Sequence, residues 1–324
     1  MKTVSIVVPK GNTILSSIIG PYKVFKGVND YLEQRGKQPA FKIQLVGITA
    51  DTILYDGLFS VHPNVILSDT THSDLIIIPA LNPASLGENQ PFVQWINEEY
   101  KRGAEIASLC VGAFLLASTG LMKGRNCTTH WMAADNFRHM FPDVKLIADK
   151  IITDENGIYT SGGAYSFLNL ILYLVEKNCG REVAVFCAKL FEIDIDRYSQ
   201  SPFAIFMGQK DHEDEPIRNA QLFMENNVTG KISVDQLASM FSISRRNFER
   251  RFKKATANTP VEYLQRVKIE VAKKSLENTR GNINEVMYSI GYSDSKAFRT
   301  TFKKITGLSP LEYRRKYNRE LAVS

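Results

Sequence analysis

The chain has no apolar run approaching the roughly 20 residues that a bilayer-spanning helix needs, and no two cysteines in a CxxC arrangement. The first absence excludes a helical membrane protein, so no membrane partner is expected. The second leaves Cys110, Cys127, Cys179 and Cys187 with no histidine at zinc-ligand spacing. That argues against a disulfide framework or zinc ribbon and for a reducing, cytoplasmic compartment. The opening Met1 to Pro9 is too short an apolar stretch for a signal peptide and reads as a first strand. Fibrous and disordered classes are excluded by 44% apolar and 23% charged residues in 324, a length sufficient for two domains with cores of their own.

Basic charge is scarce in the first two thirds and abundant at the end. Residues 216–324 hold 21 Lys and Arg against 10 Asp and Glu, which leaves 19 against 24 for residues 1–215. The formal balance is therefore +11 and −5, the asymmetry expected of a polyanion-binding module attached to a mildly acidic domain.

That basic end contains one pattern twice. Ser244 to Lys254 and Asp294 to Lys304 align at an offset of 50, with Phe248 on Phe298, Phe252 on Phe302 and a Lys pair on a Lys pair. The match continues from Thr259-Pro260-Val261-Glu262-Tyr263 to Ser309-Pro310-Leu311-Glu312-Tyr313. Each copy reads as a helix-turn-helix. In the first, Ser233 and Gln236 are spaced as a capping box, Ser242-Ile243-Ser244 turns, and the second helix starts at Arg245. The phenylalanines, at i and i+4, belong to the core. The other faces offer Arg245, Arg246, Asn247, Arg250 and Arg251, and in the second copy Ser295, Lys296, Arg299 and Thr300. Arg suits guanine and Asn adenine edges in a major groove. Lys253, Lys254, Lys303 and Lys304, at the far helix ends, suit phosphates. Between the copies, Pro260 to Glu277 predicts one helix, roughly 27 Å long, with Val261, Leu264, Val267, Val271 and Leu276 as its apolar stripe. Such a rod would hold two reading helices near the roughly 34 Å separating successive major-groove faces. The partner implied is double-stranded DNA.

The first two hundred residues alternate strand and helix. Strands are predicted at Val4 to Val8, Phe41 to Ile48, Leu75 to Ile78 and Glu105 to Leu109, with helices from Gly20-Pro21 to Arg35 and from Pro91 to Arg102. A strand pair over 151–160 then leads into helices reaching Phe191. Their stripe of Phe167, Leu168, Ile171, Leu172 and Val175 is core or dimer surface. This rhythm predicts a parallel sheet flanked by helices, with ligands at the carboxyl ends of its strands. Cys110 lies at such an end, at a strand-to-helix turn with Gly112 two residues on. A nucleophile elbow needs that geometry, and a following helix N-terminus favours a thiolate. A buried structural cysteine fits equally well.

The segments Ile106 to Ala117, Gly120 to Arg125, Thr128-Thr129-His130-Trp131 and Tyr159 to Gly163 resemble the amidotransferase-like PfpI superfamily. Gly291-Tyr292, Phe298, Phe302-Lys303-Lys304, Gly307, Ser309-Pro310 and Tyr313-Arg314 follow the AraC/XylS signature. Together they resemble the GlxA-like regulators, in which the two are fused. The resemblance implies an α/β flavodoxin-like parallel-sheet sandwich, residues 1–210, for sensing and dimerisation, and an all-α domain with two helix-turn-helix motifs, residues 216–324. The run 211–216 would be the linker, and His212 among its acids is read as linker rather than metal ligand. No metal and no cofactor are expected.

By this resemblance Cys110 is the elbow residue and His130 its histidine, in a ligand pocket with Val111 and Gly162. Two departures stand out. The loop from Gly11 to Pro21 has no Asp or Glu where the enzymes place one, and Val111 stands where protease-like members carry His. Catalysis is therefore not expected, and Cys110 and His130 would be vestigial. The expected function is a ligand-responsive DNA-binding regulator forming a homodimer. The alternative is a PfpI-type cysteine enzyme, an amidase, hydratase or glyoxalase-like lyase, with an attached DNA-binding domain.

Overall fold

The computed structural model describes residues 1–70, 72–279 and 281–318. They fall into two compact units, Met1–Gln200 and Ser201–Ser324.

The first unit begins β1 (Lys2–Val8), α1 (Ser16–Glu33), β2 (Phe41–Gly47), the β3–β4 hairpin (Thr52–Leu54 and Phe59–Val61), β5 (Val65–Ile66), β6 (Leu75–Ile78), α2 (Gln90–Lys101) and β7 (Glu105–Ser108). It continues α3 (Ala113–Ser118), β8 (Asn126–Cys127), α4 (Ala134–Met140), β9 (Lys145–Leu146), β10 (Ile152–Glu155), β11 (Ile158–Ser161), α5 (Phe167–Cys179) and α6 (Arg181–Leu190). Seven strands form one sheet in the order β10-β11-β7-β6-β1-β2-β5. All neighbours pair in parallel except β10 with β11. This is a flavodoxin-like α/β sandwich.

The unbroken apolar run of β6 is explained by its two covered faces. Leu75 and Ile77 enter the core beneath α1, α5 and α6, and Ile76 and Ile78 enter the core beneath α2, α3 and α4. Phe167, Ile171, Leu172 and Val175 of α5 are buried in the first of these cores, so that stripe is core within the single chain. The sequence expectation for α1 requires correction. The helix starts at Ser16, not at Gly20, and Pro21 lies inside it. Its first turn is fixed by Ser17, whose hydroxyl donates to the Ile14 carbonyl (2.6 Å) and accepts from the Ala80 N–H (3.0 Å).

The second unit is helical: α7 (Glu215–Asn226), α8 (Val234–Met240), α9 (Arg245–Thr256), α10 (Pro260–Asn278), α11 (Ile283–Ser289), α12 (Ser295–Thr306) and α13 (Pro310–Tyr317). It holds two cores. One joins α7, α8, α9 and the start of α10 through Tyr263 and Val267; the other joins the end of α10, through Ile269, Ala272 and Leu276, to α11, α12 and α13. Serving two cores rotates the buried face along α10. Val261 and Val271, expected on the inward stripe, are therefore exposed. Residues 201–214 group with this unit. The Phe206 N–H donates to Glu270 (3.1 Å), and His212 bonds Gln221 of α7 (2.9 Å).

Candidate functional site

The duplication extends through the buried framework. Phe248 and Phe252 lie 5.7 Å apart between ring centroids, as do Phe298 and Phe302. Tyr263 stands edge-on to Phe252 at 5.4 Å and Tyr313 to Phe302 at 5.5 Å. Each tyrosine hydroxyl donates to a glutamate of the helix that opens its repeat: Tyr263 to Glu225 of α7 (2.7 Å), Tyr313 to Glu277 of α10 (2.5 Å). Thr256 and Thr306 each return a hydroxyl to the carbonyl four residues back, at 2.8 Å in both. Thr259 with Glu262, and Ser309 with Glu312, form full capping boxes on α10 and α13. Each unit of the repeat is thus an opening helix, a helix-turn-helix and a closing helix, and α10 serves as the closing helix of one and the opening helix of the next.

The turns differ by one residue, four between α8 and α9 and five between α11 and α12. Both pass through a left-handed residue, Ser242 at φ 52° and Gly291 at φ 76°. Ser233 caps α8 by accepting from the Gln236 N–H (3.1 Å).

On these frameworks Arg245, Arg246, Arg250, Lys296, Arg299 and Thr300 are exposed, with Asn247 and Ser295 partly so. Lys253, Lys254, Lys303 and Lys304 are exposed in the last turns of α9 and α12. Arg245 is tied to Asp235 (3.0 Å) and Glu249 (3.1 Å), and Arg250 donates to Asn247 (2.9 Å). Arg251, grouped by sequence with the exposed face, instead makes two bonds to Asp214, the residue capping α7. Asp214 also accepts from the Ile217 N–H at 3.3 Å. Sequence spacing could not find this, because Asp214 is 37 residues away.

In the first unit Cys110 follows β7, the second strand out from β1, and takes φ 55°. Gly112 permits the turn: a Cβ there would stand 2.5 Å from the Pro79 carbonyl oxygen and 2.6 Å from that of Ile78. The Cys110 N–H donates to Ser161 Oγ (3.3 Å), and its carbonyl accepts from Thr129 Oγ1 (2.9 Å). The thiol is buried, and burial pushes its pKa up against the backbone N–H groups of Ala164 and Val111, which pull it down. His130 Nδ1 accepts from the Met132 N–H (3.0 Å), and burial lowers the imidazole's pKa. Its ring fills the place where a Cβ of Gly163 would be, at 2.1 Å. Among the described residues no hydrogen bond joins Cys110 to His130, and no carboxylate forms an ion pair with His130.

Gly162, placed in the pocket by sequence, faces another side chain. A Cβ there would meet the Gln200 amide at 2.4 Å. Gln200 was missed as a site residue. It is buried, accepts from the Gly163 N–H (2.8 Å), and sets its amide nitrogen 2.9 Å from the Thr129 carbonyl and 3.0 Å from those of Ala148 and Lys150. It ties together the loops carrying His130 and Gly163. A single polar residue in an irregular segment gives no periodic signal, so pattern reading had nothing to detect.

A model of the DJ-1/PfpI family matches residues 4–177, more than half the chain. The chain belongs to the DJ-1/PfpI family. A helix-turn-helix domain model of the AraC type matches residues 237–316, spanning both repeats. Among curated relatives, the HTH-type transcriptional regulator GbdR of Pseudomonas aeruginosa is 25% identical over 68% of this chain and 60% of its own length. The chain thus matches less than two thirds of that relative. The HTH-type transcriptional regulator GlxA of Rhizobium meliloti is 23% identical over 66% of each chain. A solved structure, a putative transcriptional regulator protein from Vibrio parahaemolyticus, covers 58% of this chain and 98% of its own at 23% identity with a TM-score of 0.53. That likeness supports the fold of this DJ-1/PfpI protein. Among the described residues no helix is long and apolar enough to cross a membrane, and no cluster of three or more His, Cys, Asp or Glu is placed to hold a metal.

Proposed function

We propose that this DJ-1/PfpI protein is a sequence-specific DNA-binding transcription regulator whose first unit senses a small molecule. The observation that carries the reading is the pair of helices α9 and α12, mounted on matching buried frameworks and presenting exposed Arg and Lys. Arg245, Arg246, Asn247 and Arg250 on one, with Ser295, Lys296, Arg299 and Thr300 on the other, are the base-reading set. Lys253, Lys254, Lys303 and Lys304 are the phosphate set. Helix α10, about 28 Å long at about 1.5 Å per residue, spaces two reading helices for consecutive major-groove segments. The relatives named as HTH-type transcriptional regulators support the same reading.

The effector site is assigned to the turn around Cys110, Val111 and His130, with Gln200 beside Gly162. A PfpI-type cysteine enzyme is the weaker reading, because burial favours the thiol over the thiolate at Cys110 and, among the described residues, no carboxylate pairs with His130. Homodimerisation belongs to the first unit, supported by exposed Ile53, Tyr55, Leu58 and Phe59 on the β3–β4 hairpin. The test is retardation of the protein's own promoter fragment against unrelated DNA of equal length at about 0.15 M salt. Preferential retardation of the promoter is expected, and equal retardation of both would sink the reading. A thermal-shift screen of metabolites then searches for the effector.

A further inference from the structure

Two lysines of α10 are largely buried, and among the described residues only one of them has an oxygen partner. Lys273 donates to Glu270 and to the Ala204 carbonyl, both at 2.7 Å. Lys268 is only 9% exposed, yet no oxygen of any described residue accepts from it. Its ammonium lies 5.7 Å from the Tyr292 ring centroid, and burial alone lowers its pKa. The ammonium opens onto a cleft instead of being sealed in the core, so its charge is only partly solvated and, among the described residues, has no counter-charge beside it. An arrangement that keeps such a charge open is poised for an anion from outside.

The space beside it suits such a ligand. A cleft of 190 Å³ is lined by Ile232, Leu237, Leu264 and Tyr292, with Gln265 and Lys268 as its polar members. At about 30 Å³ per water it holds roughly six water molecules, the bulk of a short organic acid. Its wall is shared by the two repeats: Leu237 belongs to α8, while Gly291 and Tyr292 form the turn of the second helix-turn-helix. At Gly291 a Cβ would lie 2.4 Å from the Thr229 carbonyl and 3.1 Å from Lys268 Nζ, so backbone closes the polar end.

We propose that this cleft is a ligand site within the helical unit, separate from the Cys110 turn, which takes a small carboxylate with an apolar body. The carboxylate pairs with Lys268 and accepts from the Gln265 amide, while the body lies against Ile232, Leu237 and Leu264. Because the ligand touches both repeats, it couples to their relative arrangement. Any change it makes in affinity for a two-groove DNA site is matched by an equal change in its own affinity when DNA is bound.

The test uses the full chain and isothermal titration with hexanoate, benzoate and neutral hexanamide at pH 7.5. Hexanoate or benzoate is expected to bind, with hexanamide at least tenfold weaker, and Lys268→Met is expected to erase that preference. In parallel, acetic anhydride labelling read by mass spectrometry requires no variant: the bound acid should protect Lys268 and leave exposed Lys296 unchanged. Failure of both acids to bind at millimolar concentration overturns the proposal. So does binding that neither protects Lys268 nor responds to its substitution, since the acid then sits elsewhere. These readouts need no DNA, so their failure is distinct from failure of the regulator reading.

Discussion

Arg251 grips both carboxylate oxygens of Asp214, at 2.9 and 2.6 Å, so one of the basic residues of α9 belongs to the fold and not to the proposed DNA-reading face. Both side chains are less than one third exposed, and Asp214 also caps α7. Charge-assisted bonds of this kind are worth about 1.5–3 kcal/mol. Arg251→Ala is expected to destabilise the second unit by about that amount in urea unfolding. The Arg251 guanidinium holds the Asp214 carboxyl below its usual pKa. A carboxyl depressed in the fold stabilises above its unfolded pKa of about 3.9. The gap between wild type and variant should therefore be full at neutral pH and shrink as pH falls below about 4 through the folded value. A gap that stays constant down to acid pH would rule out this ion pair as its source.

Exposed residues on the same helices should respond differently. Arg246→Ala and Arg299→Ala remove exposed side chains of the proposed base-reading set, each expected to cost about 1–3 kcal/mol at the cognate site and little on unrelated DNA. Together they should abolish specific retardation of the promoter fragment. Lys303→Ala should weaken binding to all sequences alike and lower the slope of log affinity against log salt by about one. Arg245 has a smaller expected effect, because it must first leave Asp235 and Glu249. If Lys303→Ala altered sequence preference while Arg246→Ala did not, the division of roles would be reversed.

Much of the architecture could be read in the chain because it repeats or alternates. The offset of 50 that aligned Phe248 with Phe298 also aligns Tyr263 with Tyr313, and both tyrosines hold equivalent buried positions. The continuous apolar run of β6 marked a strand covered on both faces, which is how it packs. What escaped was long-range and polar. The Arg251 partner lies 37 residues away and Gln200 bonds across 71 residues to the Thr129 carbonyl. Neither distance leaves a periodic trace. Pro21 misled because proline is favoured in a helix's first turn, whereas here Ser17 had already started the helix.

His130 makes a pH-dependent prediction. Its Nδ1 accepts from Met132, and burial lowers its pKa below the usual value near about 6.5. A group whose folded pKa is depressed stabilises above its unfolded pKa and ceases to do so as pH falls through the folded one. Protonation would also turn Nδ1 into a donor facing the Met132 N–H. The thermal midpoint of the first unit should fall between pH 7 and pH 5, and His130→Asn should reduce that fall, since Asn can still cap without charging. An undiminished fall in the variant would assign the effect to other groups.

The Cys110 thiol decides between a sensing turn and a nucleophile. Its left-handed backbone costs about 1–2 kcal/mol, and Gly112 packs against the Ile78 and Pro79 carbonyls so closely that Gly112→Ala should unfold the turn. A strained elbow of this kind could serve catalysis, but burial raises the thiol's pKa, and no base is hydrogen-bonded to it among the described residues. Burial therefore favours the protonated thiol, and alkylation by iodoacetamide at pH 7.5 should run slower at Cys110 than at free cysteine, rising with pH. Peptide mapping of the labelled chain measures this directly. Labelling faster than free cysteine at neutral pH would mean that the Val111 and Ala164 N–H groups outweigh burial, leaving a thiolate able to attack. With slow labelling, Cys110→Ala should retain promoter binding, because α9 and α12 are held by cores formed within the second unit.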